Sequence, residues 1–260
     1  MKSDCAACIS SRLGRKRLAA RLFLLAIVVW LLWSVGRGRV LLLNGQRIAA
    51  QSAQFPRDYF VGKRNSPLLT YLVLGDSTAA GWGAGQLNRT YPHQVAQAVA
   101  ARGHRVRVVN VAVGGARLSD VLKHQLGAIQ RERPDLITLS AGANDATHFT
   151  SPDDYARELR AVVAALQNST AKQILMADVP DMFQAPALPL PLAIATNWRA
   201  RRLNVALTKA LRGSKIRRVE LYKKGKLIYR LNPNFYAADL FHPSGAGYGV
   251  WARLFIGSLE

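Results

Sequence analysis

The stretch that decides the fold is residues 68–85, which read LLTYLVLGDSTAAGWGAG. An apolar run ends there at Gly75, and the small polar cluster Asp76, Ser77 and Thr78 follows it. This pattern is typical of a buried parallel strand that ends in a tight turn. Because ligands and catalytic groups of open α/β sheets lie at the carboxyl ends of the strands, Ser77 is a candidate for chemistry.

Downstream of this stretch, apolar runs alternate with helical periodicities. The predicted strands are residues 69–74, 106–111, 136–139, 174–177 and 216–221. The predicted helices are residues 90–101, 118–131, 151–167, 198–211 and 244–254. Strands that alternate with helices predict a parallel sheet covered on both faces. We therefore expect an α/β fold in residues 67–260, a three-layer αβα sandwich around a five-stranded parallel sheet.

The first 66 residues differ from the rest of the chain in composition. Residues 1–17 are predicted to be a basic tail, residues 18–43 a membrane anchor and residues 44–66 a linker. Within the anchor, residues 22–35 form an uninterrupted apolar run. The run alone is shorter than a membrane span, but the flanking arginines could reach the two interfaces. A cleaved signal peptide and a buried core helix are the alternatives, and the basic lead-in favours an uncleaved transmembrane helix.

The distribution of charge predicts how such an anchor would be oriented. Six basic residues precede the apolar run, and three follow it closely. The positive-inside rule then puts the N-terminus in the cytoplasm. We therefore expect a single-pass membrane protein whose domain 67–260 lies outside the cytoplasm, in the periplasm or the extracellular space.

Net positive charge is the other strong compositional feature. The formal net charge is +21, and such a surface attracts anionic polymers or anionic lipid head groups. Residues 199–230 contain twelve basic residues and one acid, Glu220. This segment lacks the aromatic interleaving of a groove for single-stranded nucleic acid, so no nucleic-acid partner is expected. A solvated basic face and a contact with an anionic surface both fit the charge, and both stay open.

Residues that could bind a ligand or take part in a reaction also lie after later predicted strands and before the last predicted helix. Gly114 and Gly115 follow the second strand, and Asn144 follows the third. Asp239 and His242 lie three residues apart, just before the last helix. Taken singly, each has a structural explanation, since glycines turn the chain and asparagine makes Asx turns. Their order at successive strand ends is what points to a site.

Taken together, these segments resemble the SGNH (GDSL) hydrolase family. The matching blocks are residues 75–78, 110–115, 142–145 and 239–243. The resemblance covers residues 68–254, and it implies a flavodoxin-like arrangement of the sandwich. Thr78 stands where the family name has leucine, a position that carries no catalytic atom.

The resemblance implies a role for each residue of the blocks. Ser77 is the nucleophile, His242 the base that activates it, and Asp239 the carboxylate that orients and stabilises the imidazolium. The oxyanion hole is expected from the backbone N–H groups of Ser77 and Gly115 and from the side-chain amide of Asn144. No metal and no cofactor is implied.

The expected function is that of a serine esterase. The enzyme would hydrolyse a carboxylic ester of a small molecule or lipid through an acyl-serine intermediate. The same residues would serve an O-acyl- or acetyltransferase, or a deacetylase acting on a cell-envelope saccharide, and this alternative stays open. A membrane-tethered binding protein without catalysis is disfavoured, because every catalytic position of the family is filled.

The substrate-binding residues are predicted from position and polarity. Trp82 follows the nucleophile, and Phe183, Leu188 and Leu190 lie in the apolar segment 179–197. Four prolines in this segment are expected to prevent a regular helix or a central strand. Because the segment leaves the carboxyl end of a strand, it could wall a groove for the acyl chain or face the membrane. Ordinary packing onto the sheet is the alternative.

Overall fold

The computed structural model describes residues 3–226, 229 and 232–260. The chain divides into two units, Met1–Leu43 and Asn44–Glu260. The predicted tail therefore includes two residues, 1 and 2, that lie outside the described part. The predicted boundary between anchor and linker coincides with the boundary between the two units.

Residues 3–43 of the first unit lie in helix α1, Ser3–Ala53, whose last ten residues belong to the second unit. Among the residues that the structure describes, no helix combines the length and the apolarity needed to cross a membrane. The predicted transmembrane anchor is therefore not confirmed, and the predicted single-pass, extracytoplasmic localisation is wrong. The physical reason is the length of the apolar run: 14 residues of helix rise about 21 Å, less than the hydrocarbon core of about 30 Å.

The second unit is built on a mixed sheet of six strands in the order β1-β3-β2-β4-β5-β6. The strands are β1 (Asp58–Val61), β2 (Leu68–Gly75), β3 (Arg105–Asn110), β4 (Leu136–Ser140), β5 (Gln173–Ala177) and β6 (Arg217–Val219). Five of them are parallel, as predicted, and β1 pairs antiparallel with β3.

The predicted count of five strands is therefore wrong by one edge strand. Residues 44–66 contain the end of α1 and all of β1, although no element is predicted there. The strand has only four residues, DYFV, and lies at the sheet edge, where its residues alternate between exposed and half-buried. Its pairing is supported across the strands by an ion pair between Asp58 and Arg107. Such a short edge strand has no continuous apolar run, so the sequence pattern did not predict it.

The remaining helices cover the two faces of the sheet. They are α2 (Tyr91–Ala101), α3 (Leu118–Asp120), α4 (Gly127–Glu132), α5 (Ala143–Thr147), α6 (Pro152–Gln167), α7 (Leu190–Ala210) and α8 (Gly245–Ile256). A π-helical turn, Val121–Gln125, joins α3 to α4. Thr90, Ser151 and Ser244 cap the starts of α2, α6 and α8 through their side chains.

Helix α7 begins eight residues earlier than predicted. The prediction that prolines exclude a regular helix from residues 179–197 is wrong, because Pro191 lies in the first turn of α7. A proline is tolerated there, since the first N–H groups of a helix have no partner within it.

The sheet separates two apolar cores. Alternate residues of β2 point to opposite faces, with Tyr71 and Val73 in one core and Leu72 and Leu74 in the other. The first core is completed by residues of α2 and α8, and the second by residues of α6 and α7. The carboxyl end of β2 thus emerges between two packed layers, which holds the turn that follows it.

Candidate active site

The turn that carries Ser77 is locked by hydrogen bonds to the end of β2. Gly75 has a φ of +139°, and a Cβ atom there would lie 2.0 Å from the carbonyl oxygen of Ser140, so only glycine fits. The buried amide of Gln125 accepts from the N–H of Gly75 and donates to its carbonyl, both at 2.8 Å. The chain therefore leaves the strand in a single direction.

Asp76 and Thr78 brace the same turn from inside. One oxygen of Asp76 accepts from the N–H of Thr78 at 2.9 Å and from its hydroxyl at 2.6 Å. Burial raises the pKa of Asp76, and the bonds from Thr78 offset part of that rise. Asp76 therefore supports the turn through its bonds to Thr78.

A chain of two hydrogen bonds connects Ser77 to Asp239. Nε2 of His242 lies 2.9 Å from Oγ of Ser77, and Nδ1 of His242 lies 2.5 Å from Oδ2 of Asp239. All three side chains belong to buried residues. The structure thus brings together the three residues that the sequence analysis assigned to catalysis, from segments 165 residues apart.

The turn from Asp239 to His242 fixes both side chains. The second oxygen of Asp239 accepts from the backbone N–H groups of Phe241 and His242, each at 3.1 Å. Burial alone would raise the pKa of Asp239, but the bond from His242, the charge of its imidazolium and these two N–H groups outweigh it. The pKa of Asp239 is lowered, so the carboxylate stays charged opposite the imidazole.

The predicted oxyanion-hole residues lie on two loops that are tied together. Nδ2 of Asn144 donates to the carbonyl oxygen of Ala116 at 3.0 Å, which joins the start of α5 to the loop that contains Gly115. Gly115 has a φ of +79°, which favours glycine. Asn144 and Ser77 both line the cavity described below. The amide of Asn144 has a second N–H that can serve a ligand.

Asp145, the neighbour of Asn144, accepts a second hydrogen bond between α5 and the segment that runs from Gly115 into α3. One oxygen of its fully buried carboxyl group accepts from the N–H of Leu118 at 3.0 Å. The other oxygen has no hydrogen-bond partner in the part of the chain that the structure describes. Burial raises the pKa of Asp145 to about 6, which the N–H of Leu118 and the nearby Thr150 hydroxyl only partly oppose.

An apolar cavity of about 70 Å³ extends from Ser77 and His242. Its walls come from two segments, residues 180–185 and 221–243, and from α8. The apolar and aromatic lining includes Met182, Ala185, Leu221, Tyr236, Phe241 and Trp251. Its polar rim includes Lys226 and the buried Asp181, 3.6 Å apart as an ion pair. Residues 227, 228, 230 and 231 of the second segment lie outside the described part.

The structure places the four predicted substrate-binding residues outside the lining of this cavity. The ring centre of Trp82 lies 5.3 Å from that of His242, with the ring planes tilted by 53°. The indole also lies close to Gly114, where a Cβ atom would collide with it. Phe183 and Leu190 are exposed on the surface, and Leu188 packs against one of the two cores. None of the four is among the described residues that line the cavity.

Several residues of the site lie outside the sequence motifs. Gln125 carried no signal, because it reads as one polar residue in a helical segment. Tyr236 and Trp251 read as ordinary residues near and within a predicted helix. The motif residue Asp145 was visible in the sequence, but its burial was not.

Comparison with known proteins gives the family. Residues 73–250 match the GDSL-like Lipase/Acylhydrolase family. The chain belongs to this family. The resemblance expected from the sequence is thereby confirmed, and the protein is a hydrolase that acts on esters. No curated protein sequence matches the chain.

Three of the solved structures with a similar fold illustrate the likeness. TesA is 19% identical with a TM-score of 0.61, over 74% of this chain and 98% of that one. A lipase/acylhydrolase from Enterococcus faecalis is 22% identical with a TM-score of 0.59, over 73% and 94%. A catalytic mutant of Axe2, an acetylxylan esterase from Geobacillus stearothermophilus, is 20% identical with a TM-score of 0.56, over 76% and 95%. At these identities the likeness concerns the fold.

Proposed function

We propose that this hydrolase is a serine esterase with Ser77 as nucleophile, His242 as base and Asp239 as the orienting carboxylate. The observation that carries the proposal is the Ser77–His242–Asp239 chain of hydrogen bonds, 2.9 and 2.5 Å long, on the wall of an apolar cavity. A serine hydroxyl needs an adjacent base to attack a carbonyl, and the base in turn needs an orienting partner.

The first half of the reaction forms an acyl-enzyme. Oγ of Ser77 attacks the ester carbonyl carbon while its proton passes to Nε2 of His242. The carbonyl oxygen becomes an oxyanion, which the N–H groups of Ser77 and Gly115 and the amide of Asn144 would stabilise. The carbon–oxygen bond to the alcohol then breaks, and the alcohol leaves with the proton from His242.

The second half releases the acid. Water gives a proton to Nε2 of His242 and attacks the acyl carbon, and the bond to Oγ of Ser77 breaks as that oxygen recovers the proton. The carboxylate of Asp239 stabilises the imidazolium in both halves. Its lowered pKa supports this role, because the group stays ionised as the imidazole becomes charged.

The lining of the cavity supports an apolar acyl group as the part of the substrate that is bound. Met182, Tyr236 and Trp251 present apolar surface within the cavity that also contains Ser77. Each buried CH₂ contributes about 0.8 kcal/mol, which corresponds to about fourfold per carbon. We infer that kcat/KM rises with acyl length until the cavity is filled.

The nucleophile is tested by labelling and turnover of the full-length chain. Ser77→Ala should abolish labelling by a fluorophosphonate and lower kcat/KM for a soluble acetyl ester by about 10⁴-fold or more. Ser66→Ala, a serine before β2, is the matched control and should leave both unchanged, with circular dichroism reporting the fold. Retention of most activity by Ser77→Ala would refute the proposal.

Product analysis separates hydrolysis from acyl transfer. With water as the only acceptor, a hydrolase forms the free acid at the rate at which it releases the alcohol. If added saccharide raises alcohol release and collects the acyl group, the physiological acceptor is not water. In that case the catalytic residues stand, and the reaction is a transfer.

The acyl cavity is tested by narrowing it. Ala185→Leu adds three carbons to a lining position, so it should lower kcat/KM for hexanoyl and octanoyl esters about tenfold while changing acetyl turnover less than twofold. Ala187→Leu, two residues further and outside the described cavity lining, is the matched control. An equal loss for all acyl lengths would show that residue 185 affects the fold and not the choice of acyl group.

A further inference from the structure

Helix α7 carries apolar side chains both on the face that packs against the rest of the unit and on the exposed face. Its buried side joins the sheet, where Asn204 exchanges two hydrogen bonds of 2.8 Å with the backbone of Val179. On the other side Leu190, Ile194 and Trp198 are each more than half exposed. A helix on the surface of a globular domain normally presents polar residues to water.

The exposed apolar residues of α7 share one arc with cations. At 100° per residue, the arc of about 120° that holds them also holds three basic residues, and α7 contains no acid. We call this surface the α7 face; it consists of Leu190, Ile194, Trp198, Arg201, Arg202, Val205 and Lys209. The guanidinium of Arg202 lies 4.7 Å from the ring centre of Trp198. Trp beside Arg or Lys is the composition of helices that lie in a membrane interface.

Helix α7 contacts two segments that carry residues of the cavity lining. Helix α7 packs against the turn Met182–Gln184, which carries the cavity residue Met182, and against α5, which carries Asn144. The same turn exposes Phe183. Arg199 of α7 donates to the carbonyl of Thr150 at 2.8 Å and so holds the loop on which Phe149 is exposed. Two segments that contact α7 thus also expose an aromatic side chain.

We propose that the α7 face docks the catalytic unit onto an anionic lipid surface. The charge of the unit is complementary to such a surface, since residues 44–260 contain 28 basic and 14 acidic residues. Apolar side chains would enter the head-group region while Arg201, Arg202 and Lys209 meet lipid phosphates. This docking does not rest on the proposed function.

A second copy of the chain fits the α7 face less well than a lipid surface does. In a symmetric dimer the same patch meets itself, so Arg201, Arg202 and Lys209 would approach the like cations of the partner. No acidic residue of α7 could compensate for them. An anionic lipid surface supplies the opposite charge without that conflict.

The test places a fluorophore at one position of the α7 face. Cys5 and Cys8 are the only cysteines of the chain and are first changed to serine. In this full-length background, Ile194→Cys and Leu68→Cys are each labelled with NBD. Leu68 is the matched control, because it is 59% exposed, against 55% for Ile194, but lies at the amino end of β2, away from Ser77. Emission is recorded with vesicles of phosphatidylcholine and with vesicles containing 30% phosphatidylglycerol.

We expect NBD at residue 194 to brighten at least twofold and shift to the blue with phosphatidylglycerol vesicles, while NBD at residue 68 stays unchanged. Salt at 0.5 M should reduce the response, because it screens the basic residues. The position of the label separates contact of the α7 face from any binding through another part of the chain.

Three results would overturn the proposal. They are no response at residue 194, an equal response at both positions, and a response that appears without vesicles and grows with protein concentration, which would assign the face to a second copy. Turnover of a soluble acetyl ester is measured in parallel. Its loss in Ser77→Ala bears on the proposed function alone, so the two proposals can fail separately.

Discussion

Two buried aspartates at the carboxyl edge of the sheet differ in how their charge is compensated. Asp239 has both oxygens bonded, one to the ring of His242 and the other to two backbone N–H groups. Asp145 has one oxygen bonded to the N–H of Leu118, and the other has no hydrogen-bond partner within the described residues. The pKa of Asp239 is lowered, while that of Asp145 is raised to about 6.

The difference shows that burial does not decide the protonation state by itself. Desolvation raises the pKa of both groups, and it is the largest cause in each. Only Asp239 faces a group that can become positively charged, so only there do the bonds and the charge outweigh desolvation. The turn with Asp239 is therefore suited to stabilise an imidazolium, and Asp145 is suited to hold the loop that carries Asn144.

The largest expected effect comes from removing the charge of Asp239. Asp239→Asn keeps the size of the side chain but removes the negative charge that stabilises the His242 imidazolium. We expect kcat for a soluble ester to fall about 10³–10⁴-fold with KM little changed. Asp145→Asn, the same change in the other environment, should cost less than tenfold. Equal losses in the two variants would break the comparison.

The second-largest effect is expected from truncating Asn144, the neighbour of Asp145. Asn144→Ala removes the proposed oxyanion donor, so kcat should fall about 10²–10³-fold, or about 3–4 kcal/mol of transition-state stabilisation. The bond to the Ala116 carbonyl is lost as well, and the thermal midpoint is measured to separate loop disorder from lost catalysis. If Asn144→Ala lowers stability as much as activity, Asn144 holds the loop and does not serve the oxyanion.

The smallest effect is a pH dependence of stability due to Asp145. Its pKa is about 6 in the folded protein and 3.8 unfolded, so between these values the folded state binds the extra proton and stability falls as pH rises. Asp145→Asn should remove this slope, and the free energy of unfolding of the variant relative to the natural chain should rise by about 2 kcal/mol from pH 4 to pH 7. Chemical denaturation at several pH values measures it.

For Asp239 we expect the opposite dependence of the free energy of unfolding on pH. Its folded pKa lies below the unfolded value, so its contribution to stability is present above the unfolded pKa and is lost as pH falls through the folded one. Comparing Asp239→Asn with Asp145→Asn over the acid range should give differences of opposite sign. Slopes of the same sign would show that the two environments are alike.

Much of the site could be predicted because its signals are local. A glycine, a small polar cluster and an apolar run within 18 residues predicted the turn that carries Ser77. Asp239 and His242 lie three residues apart, so one turn of backbone places them together, and the sequence alone shows that spacing. The family follows from the same blocks, and the comparisons confirm it.

Tertiary structure decided the features that depend on distant residues. Gln125 lies 50 residues from Gly75, whose turn it holds, and no local pattern relates the two. The cavity walls come from segments on two sides of the sheet edge, so Met182 and Tyr236 line it while the more apolar Leu188 and Leu190 do not. Strand β1 was not predicted because a strand at the edge of a sheet is partly exposed and does not need a continuous apolar run. The start of α7 was missed because a proline inside a helix breaks it, whereas one in the first turn does not.

By itself the sequence determined the parallel core of the sheet, the order of the motif blocks and the family to which they belong. These depend on strand polarity and on residues close together in the chain, which the backbone must keep close. What only tertiary structure decided was which apolar residues line the cavity beside Ser77, which remain on the α7 face, and which of two buried aspartates keeps its charge. Burial, exposure and charge pairing are properties of neighbours in space, and the chain acquires those neighbours only when the layers close over the sheet.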